Sequence, residues 1–194
     1  MIDLNPKSTA LISIDLQTFI LGLGLQPHPT ATVIAHTVAL AKQVRSGGGL
    51  VVSVQVIVTP GLPEMVNTPV DEPATLPKGG LPDAAMALHS DIAALSADVV
   101  IVKRSWSAFY GTELDLQLRR RGIDTVIITG VATNFGVEST ARDAWHHNYA
   151  VVIAEDACAS RDEAMHHFAI NSILPRISRV RSTIDILSGL AGPS

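Results

Sequence analysis

Hydrophobic residues recur along this chain in two alternating patterns, one typical of buried strands and one typical of amphipathic helices. Short apolar runs predict six strands, at 9–15, 50–57, 98–103, 124–129, 150–155 and 178–181. Segments with helical periodicity lie between them and predict helices at 31–46, 113–121, 136–147, 161–174 and 183–190. This alternation of strands and helices is typical of an α/β protein with a parallel sheet.

Polar residues and glycines mark where several of these helices begin and end. Ser160 precedes Glu163 by three residues, and Ser182 precedes Asp185 by the same spacing, which is the pattern of a helix capping box. Three consecutive glycines at 47–49 predict the end of the first helix. These signals place one boundary of each of three helices.

The segment 123–145 runs from an apolar strand into a helix through a corner that contains glycine. Gly130 directly follows a β-branched apolar run, and helical periodicity begins at Val137. On a parallel sheet, such a corner gathers backbone N–H groups and a helix N-terminus, which stabilise an anion or a developing oxyanion. The corner is therefore a candidate anion-binding or catalytic site, although a plain connecting turn has the same pattern.

Two other predicted strands end in a charged residue. Asp15 follows the apolar run LISI, and Lys103 follows the run VVIV. A charge at the end of a buried strand is costly unless it is paired or hydrated. Either the two charges meet in a cleft or each is a solvated strand terminus, and both interpretations are open at this point.

The surroundings of Asp15, Lys103 and the corner together resemble the isochorismatase-like cysteine hydrolase superfamily, which includes nicotinamidases, N-carbamoylsarcosine amidohydrolases and isochorismatases. The matching stretches span nearly the whole chain and read IDLQ, SAFYGT after Lys103, GVATNFGVEST at the corner, and VVIAEDACAS. The resemblance implies a single hydrolase domain over residues 1–194. It also implies a three-layer α/β/α fold with a doubly wound, Rossmann-like, six-stranded parallel sheet of order 3-2-1-4-5-6.

One position departs from the pattern of the amidase members of this superfamily. In those enzymes a nucleophilic cysteine follows Thr-Asn-Phe and acts with an aspartate and a lysine, whereas this chain has Gly136 there. The resemblance implies Asp15 and Lys103 as catalytic residues beside a nucleophile position without a side chain, so covalent catalysis from Gly136 is impossible. The only cysteine, Cys158, follows a different strand and is predicted to be a small buried residue.

Isochorismatases in the superfamily resemble this chain at that position, because they also have glycine where the amidases have cysteine. In their reaction a carboxylic acid protonates a vinyl ether, water attacks the oxocarbenium ion, and pyruvate leaves without an acyl-enzyme. We predict a hydrolase that cleaves isochorismate or a related small cyclic acid, with Asp15 as general acid. Two alternatives stay open: an inactive protein that binds a small metabolite or acts as an interaction subunit, and a water-mediated amidase or esterase.

The corner is also expected to hold a strained backbone. The family has a non-proline cis peptide bond shortly before the nucleophile position, which corresponds to Val131–Ala132 in this chain. The resemblance implies that backbone groups of Val131, Ala132 and Gly136 form an oxyanion site beside Asp15 and Lys103.

Aromatic residues cluster after Lys103 and beside the corner. Trp106, Phe109 and Tyr110 follow the lysine, and Phe135 lies in the corner itself. Their rings suit a flat or cyclic small-molecule substrate. For Phe109 and Tyr110, loop packing or contact with another subunit is an equally good interpretation.

Residues 58–90 interrupt the regular alternation with six prolines and the Gly79–Gly80 pair. We predict that this segment forms a lid over the strand ends or reaches a neighbouring subunit. Its apolar contacts would come from Leu62, Met65, Val66 and Leu76. A disordered surface loop is the alternative.

Composition narrows the class of partner. The chain has 194 residues, of which 47% are hydrophobic, and this is enough for one full core. A net charge of −4 without a basic stripe argues against nucleic acid, and no apolar run is long enough to cross a membrane. The lack of a signal-peptide pattern and the single cysteine predict a cytoplasmic protein. The resemblance implies a homodimer or a higher homo-oligomer.

Histidines are the remaining candidates for metal ligands. His146–His147 and His166–His167 are adjacent pairs whose side chains diverge on a helix, so neither pair forms a two-ligand face. Metal-binding nicotinamidases have an aspartate and histidines after the second strand, where this chain reads SVQVIVTPG. We therefore predict no metal and no cofactor. His28, between two prolines, is either an exposed loop residue or part of a pocket wall.

Overall fold

The computed structural model describes residues 2–61, 63–66, 68–73, 77 and 79–191. Within these residues one sheet contains six strands: β1 (Thr9–Ile14), β2 (Leu50–Val56), β3 (Val99–Lys103), β4 (Thr125–Val131), β5 (Ala150–Ala159) and β6 (Arg179–Arg181). Their order across the sheet is β3-β2-β1-β4-β5-β6. Every neighbouring pair is parallel. The predicted strand order and parallel pairing are confirmed.

The described residues also form these helices, of which all but the last lie between strands in the sequence: α1 (Thr18–Leu21), α2 (Thr30–Ser46), α3 (Asp83–Met86), α4 (Ser90–Ala93), α5 (Leu114–Arg120), α6 (Glu138–His146), α7 (Glu163–Phe168) and α8 (Thr183–Leu190). A π-helical turn, Thr133–Val137, leads directly into α6. Helices α1, α3 and α4 were not predicted, because four residues are too few to show a helical period. Among the described residues, no helix combines the length and the apolar character needed to cross a membrane.

Two predicted elements differ most from the structure in their extent. Strand β5 continues to Ala159, beyond the predicted end at 155, because its register against β4 shifts between Ile153 and Cys158 and pairing then resumes. The predicted helix 161–174 is interrupted, since α7 ends at Phe168 and continues as a π-helical turn and a short 3₁₀ turn.

One of the two predicted capping boxes is correct. The Ser182 hydroxyl accepts a hydrogen bond from the Asp185 backbone N–H at the start of α8. The prediction for Ser160 is wrong, because Asp162 caps α7 by accepting a hydrogen bond from the Met165 backbone N–H. Ser160 is buried, and its hydroxyl instead donates to Asn134 in the corner. The end of α2 at the predicted glycines is confirmed.

The sheet lies between two layers of helices, as the predicted three-layer fold requires. Neighbouring residues of β1 point to opposite faces, so that Ile12 packs in a cluster with residues of α5 and α6, whereas Leu11 packs with residues of α2 and α8. Both side chains are fully buried. Because both faces are covered, the strands read as continuous apolar runs.

The segment between β2 and β3 is attached to the sheet through Gln17. The Gln17 amide donates to the carbonyl oxygens of Val56 and Met86, and its oxygen accepts from the Val56 backbone N–H. Val66 is 67% exposed, so it does not make the predicted apolar contact within this chain. Two further predicted contacts lie outside the described residues, namely Leu62 and Leu76.

Candidate active site

Asp15 and Lys103 form a buried ion pair at the carboxyl edge of the sheet. Asp15 directly follows β1, and Lys103 ends β3, with β2 between them. Lys103 Nζ lies 2.7 Å from Asp15 Oδ2, and the two side chains are 2% and 8% exposed, respectively. The long lysine side chain reaches across the intervening strand. The two charges therefore meet in the interior rather than being two solvated strand ends.

The backbone at Asp15 is held in an uncommon conformation. Its φ of +51° lies in the left-handed region, which costs a non-glycine residue about 1–2 kcal/mol. The Asp15 N–H donates to the Val54 carbonyl, and the Asp15 carbonyl accepts from the Gln17 N–H. These two hydrogen bonds hold the turn that follows β1, and strain of this kind is concentrated at functional sites.

The two oxygens of the Asp15 carboxyl group have different surroundings. Oδ2 accepts from Lys103, whose ammonium also donates to the Trp106 carbonyl at 2.7 Å. Oδ1 is buried and has no hydrogen-bond partner among the described residues. Burial raises the pKa of Asp15 to about 6, although the nearby Lys103 ammonium acts to lower it. Near neutral pH, part of the Asp15 population is therefore a protonated acid.

Gly136 lies in the π-helical turn and faces the ion pair. A Cβ atom at this residue would lie 3.3 Å from Asp15 Oδ2 and 3.3 Å from Lys103 Nζ. It would also approach Ile14 Cγ2 at 3.0 Å. The structure thus brings Asp15, Lys103 and Gly136 together, and Gly136 places no side chain beside the pair.

The strand before the corner approaches β1 very closely. Gly130 has a φ of +113°, and a Cβ there would lie 2.1 Å from the Ile14 carbonyl oxygen, so no residue with a side chain fits. The peptide bond Val131–Ala132 is cis, as predicted. The oxyanion role of Val131, Ala132 and Gly136 stays a prediction.

Two of the predicted aromatic residues lie beside the pair. Trp106, whose carbonyl binds the Lys103 ammonium, packs edge-on against Phe135 with ring centroids 4.9 Å apart. Both rings are partly exposed. Tyr110 is 72% exposed, and a contact with a substrate stays a prediction for all three residues.

Phe109 is oriented differently from the other aromatic candidates. Its ring is buried in the hydrophobic core and stacks on His147 at a centroid distance of 5.3 Å. The Ala108 N–H donates to the Thr140 hydroxyl, which fixes this loop against α6. This burial fits the loop-packing interpretation, and a contact between Phe109 and a substrate stays a prediction.

A hydrogen-bonded cluster that the sequence did not reveal adjoins the corner. The Thr133 hydroxyl lies 2.8 Å from His166 Nδ1, and His166 Nε2 lies 3.2 Å from Glu155 Oε1. His28 Nε2 contacts the same carboxylate oxygen at 2.8 Å. Hydrogen bonds from the two histidines, chiefly His166, lower the pKa of Glu155 to about 2. No spacing rule joins these residues, because they lie far apart in the sequence.

Cys158 is buried, as predicted. Its thiol points toward the Ile128 carbonyl at 3.9 Å, and burial raises its pKa above the ordinary value. The thiol therefore stays protonated and does not replace the nucleophile that Gly136 lacks.

The buried pair also makes a prediction about stability. We expect Lys103→Met to lower the free energy of unfolding by about 3 kcal/mol at pH 8 and by much less at pH 5, as measured by urea denaturation. Without the ammonium the folded-state pKa of Asp15 rises further, so stability is full at low pH and is lost as pH rises through that pKa. Lys42→Met removes an exposed lysine and is the matched control. An equal loss at both pH values would contradict the prediction.

Comparison with known proteins places the chain in a family. It matches the isochorismatase domain over residues 9–185 and belongs to the isochorismatase family, whose members are hydrolases. It is 45% identical over 190 residues to the uncharacterized isochorismatase family protein YecD of Escherichia coli O157:H7, which covers 98% of this chain and 100% of YecD. The predicted family resemblance is confirmed.

A solved structure and an amidohydrolase are also similar to this chain. The structure of an isochorismatase family protein from Burkholderia thailandensis matches with a TM-score of 0.92 and 36% identity, covering 98% of this chain and 99% of that one. The ureidoacrylate amidohydrolase RutB of Methylobacterium radiotolerans is 39% identical over 98 residues, which are 50% of this chain and 38% of RutB. Both similarities agree with a hydrolase fold.

Proposed function

We propose that this protein hydrolyses a vinyl ether, isochorismate or a related small cyclic acid, without a covalent intermediate and with Asp15 as general acid. The observation that carries this proposal is a buried carboxyl group with a raised pKa beside a residue without a side chain. Lys103 orients that carboxyl group.

The ion pair defines which oxygen of Asp15 donates the proton. Lys103 donates to Oδ2 and favours negative charge there, so the proton of the acid form resides on Oδ1. With a pKa of about 6, roughly a tenth of the molecules carry this proton at pH 7. A general acid is most effective when its pKa lies near the working pH.

The proposed reaction balances without any further reactant besides water. The Asp15 proton is transferred to the terminal carbon of the vinyl ether, whose double-bond electrons form the new C–H bond. Water adds to the resulting oxocarbenium carbon, and the proton that it loses returns to the Asp15 carboxylate. The hemiketal then breaks at the ether bond and releases pyruvate and the cyclic alcohol. No step needs a side chain at Gly136.

The surroundings of the pair suit a small cyclic acid. Trp106 and Phe135 offer two partly exposed rings that can lie against a flat substrate. Arg104 forms an ion pair with Glu64, so its charge already has a partner. We therefore assign recognition of the ring to these aromatic residues.

A water-mediated amidase is the second candidate, and its support is the similarity to RutB over half of this chain. In that reaction water would replace the missing thiol, and ionised Asp15 would act as the base. An inactive binding protein is less well supported, because the Asp15–Lys103 pair is intact and buried. The two catalytic candidates require opposite protonation states of Asp15.

The pH dependence of the rate distinguishes these candidates. We expect pyruvate release from isochorismate with kcat/KM constant below pH 6 and falling about tenfold per pH unit above it, because only protonated Asp15 donates. The measurement is a coupled pyruvate assay, with the rate of a protein-free blank subtracted at each pH. A rate that rises with pH would favour base catalysis, and an absence of release would overturn vinyl-ether cleavage of this substrate.

A further inference from the structure

Three side chains from distant parts of the chain converge beside the corner. His28 lies in the loop before α2, Glu155 lies in β5, and His166 lies in α7. One ligand atom from each residue lies within 4.8 Å of the other two. The sequence predicted no metal site because the adjacent histidine pairs diverge, and this cluster instead takes one histidine from one such pair and one from a loop.

The spacing within this His28–Glu155–His166 cluster matches that of ligands around one metal ion. Glu155 Oε1 lies 2.8 Å from His28 Nε2 and 3.2 Å from His166 Nε2. Ligands held about 2.1 Å from a zinc ion are separated from one another by roughly 3.4 Å in a tetrahedral arrangement. The ligand atoms of the two histidines lie within 4.8 Å of each other, so closing this separation by at most about 1.4 Å lets all three atoms bind the same ion.

The second nitrogen of His166 has the partner that a metal-binding histidine requires. Nδ1 lies 2.8 Å from the Thr133 hydroxyl, which both donates and accepts hydrogen bonds. When His166 changes to the tautomer with a proton on Nδ1, this contact is kept and Nε2 becomes free to bind a cation. Such outer contacts are typical of histidines that bind metals.

Charge and access also favour a cation at this cluster. The cluster offers a cation one carboxylate oxygen and two imidazole nitrogens, which are ligand types that divalent transition-metal ions bind. His166 is fully buried, whereas the side chains of His28 and Glu155 are 25% and 30% exposed. An ion can therefore enter from solvent on the side of His28.

We propose that His28, Glu155 and His166 form a binding site for one divalent transition-metal ion, for which Zn²⁺ is the probe. Two histidines and one glutamate are a common zinc ligand set and leave one position open. The ion would link the loop before α2, strand β5 and helix α7 next to the corner. This site shares no residue with the Asp15–Lys103 pair, so the inference does not depend on the proposed function.

The test is a zinc titration of protein that has been stripped with a chelator, read out by competition with a fluorescent zinc indicator. We expect one Zn²⁺ per chain and a rise in the temperature of thermal unfolding when zinc is added. His28→Gln and Glu155→Gln are each expected to weaken zinc binding by at least about tenfold. These two residues are chosen because replacing the fully buried His166 could disturb folding by itself.

His146→Gln is the matched control, since it removes an exposed histidine outside the cluster. It is expected to leave zinc affinity unchanged. Unfolding curves without zinc establish that each variant is folded before its affinity is interpreted. The proposal is overturned if wild-type protein binds no zinc, if both cluster variants bind as tightly as wild type, or if His146→Gln weakens binding as much as they do.

Discussion

Asp15→Asn is expected to lower kcat/KM for vinyl-ether cleavage by about 10³-fold, because the amide cannot deliver a proton to carbon. The asparagine side chain has the same shape as the aspartate side chain, and its oxygen can still accept the hydrogen bond from Lys103. The loss should therefore come from the missing acid rather than from altered geometry. The measurement is pyruvate release from isochorismate at pH 6, under conditions where the rate reports kcat/KM.

Controls separate this chemical loss from a loss of stability. Asp15→Asn leaves the buried Lys103 ammonium without its counter-charge, which costs about 3–5 kcal/mol. The double variant Asp15→Asn, Lys103→Met removes both charges and should recover much of that stability without recovering activity. Asp91→Asn changes an exposed carboxylate and should retain the parent rate. If Asp15→Asn itself retains the parent rate, Asp15 is not the general acid.

Gly136→Cys is expected to lose most vinyl-ether cleavage and to gain a reactive thiol. The new Cβ would lie 3.3 Å from both Asp15 Oδ2 and Lys103 Nζ, so the side chain would occupy the space of the reacting atoms. We expect vinyl-ether cleavage to fall by about 100-fold. The thiol would lie next to the Lys103 ammonium, which favours the reactive thiolate. The variant should therefore be alkylated rapidly by iodoacetamide, as measured by mass spectrometry.

The parent protein gives the rate of alkylation with which Gly136→Cys is compared. Its single cysteine, Cys158, is buried with a raised pKa and should react very slowly. Gly136→Ala fills the same space without a thiol, so it should lose activity and gain no labelling. The Cβ also approaches Ile14 at 3.0 Å, which requires a shift of a few tenths of an ångström and should lower the unfolding temperature only slightly. Unchanged pyruvate release in both variants would show that the reaction does not use the space at Gly136.

Sequence patterns predicted which strands and helices this fold contains better than they predicted where each one begins and ends. Buried strands and their neighbouring helices were recognised because hydrophobic periodicity is a local property of the chain. The order of the strands came from the family resemblance, since periodicity does not indicate which strands are neighbours. The end of β5 was missed because Glu155 and Asp156 resemble the polar end of a strand, whereas pairing resumes beyond a register shift.

Ser160 and Phe109 show why spacing in the sequence did not determine where every side chain lies. Ser160 has the spacing of a helix cap, but its hydroxyl binds Asn134 from the corner. Phe109 follows the lysine closely in sequence, but its loop is held against α6 and the ring lies in the core. In both cases a partner from a distant segment determined the role of the residue, and local spacing carries no information about that partner.

The sequence by itself determined the chemical groups available to the site: a carboxyl group and an ammonium at two strand ends, and a glycine without a side chain at the corner. Only the tertiary structure decided how those groups behave. Burial outweighs Lys103 and raises the pKa of Asp15 to about 6, and folding brings His28 to Glu155 and His166. The physical reason is that desolvation and metal binding depend on separations of a few ångströms, which the packing of distant segments sets.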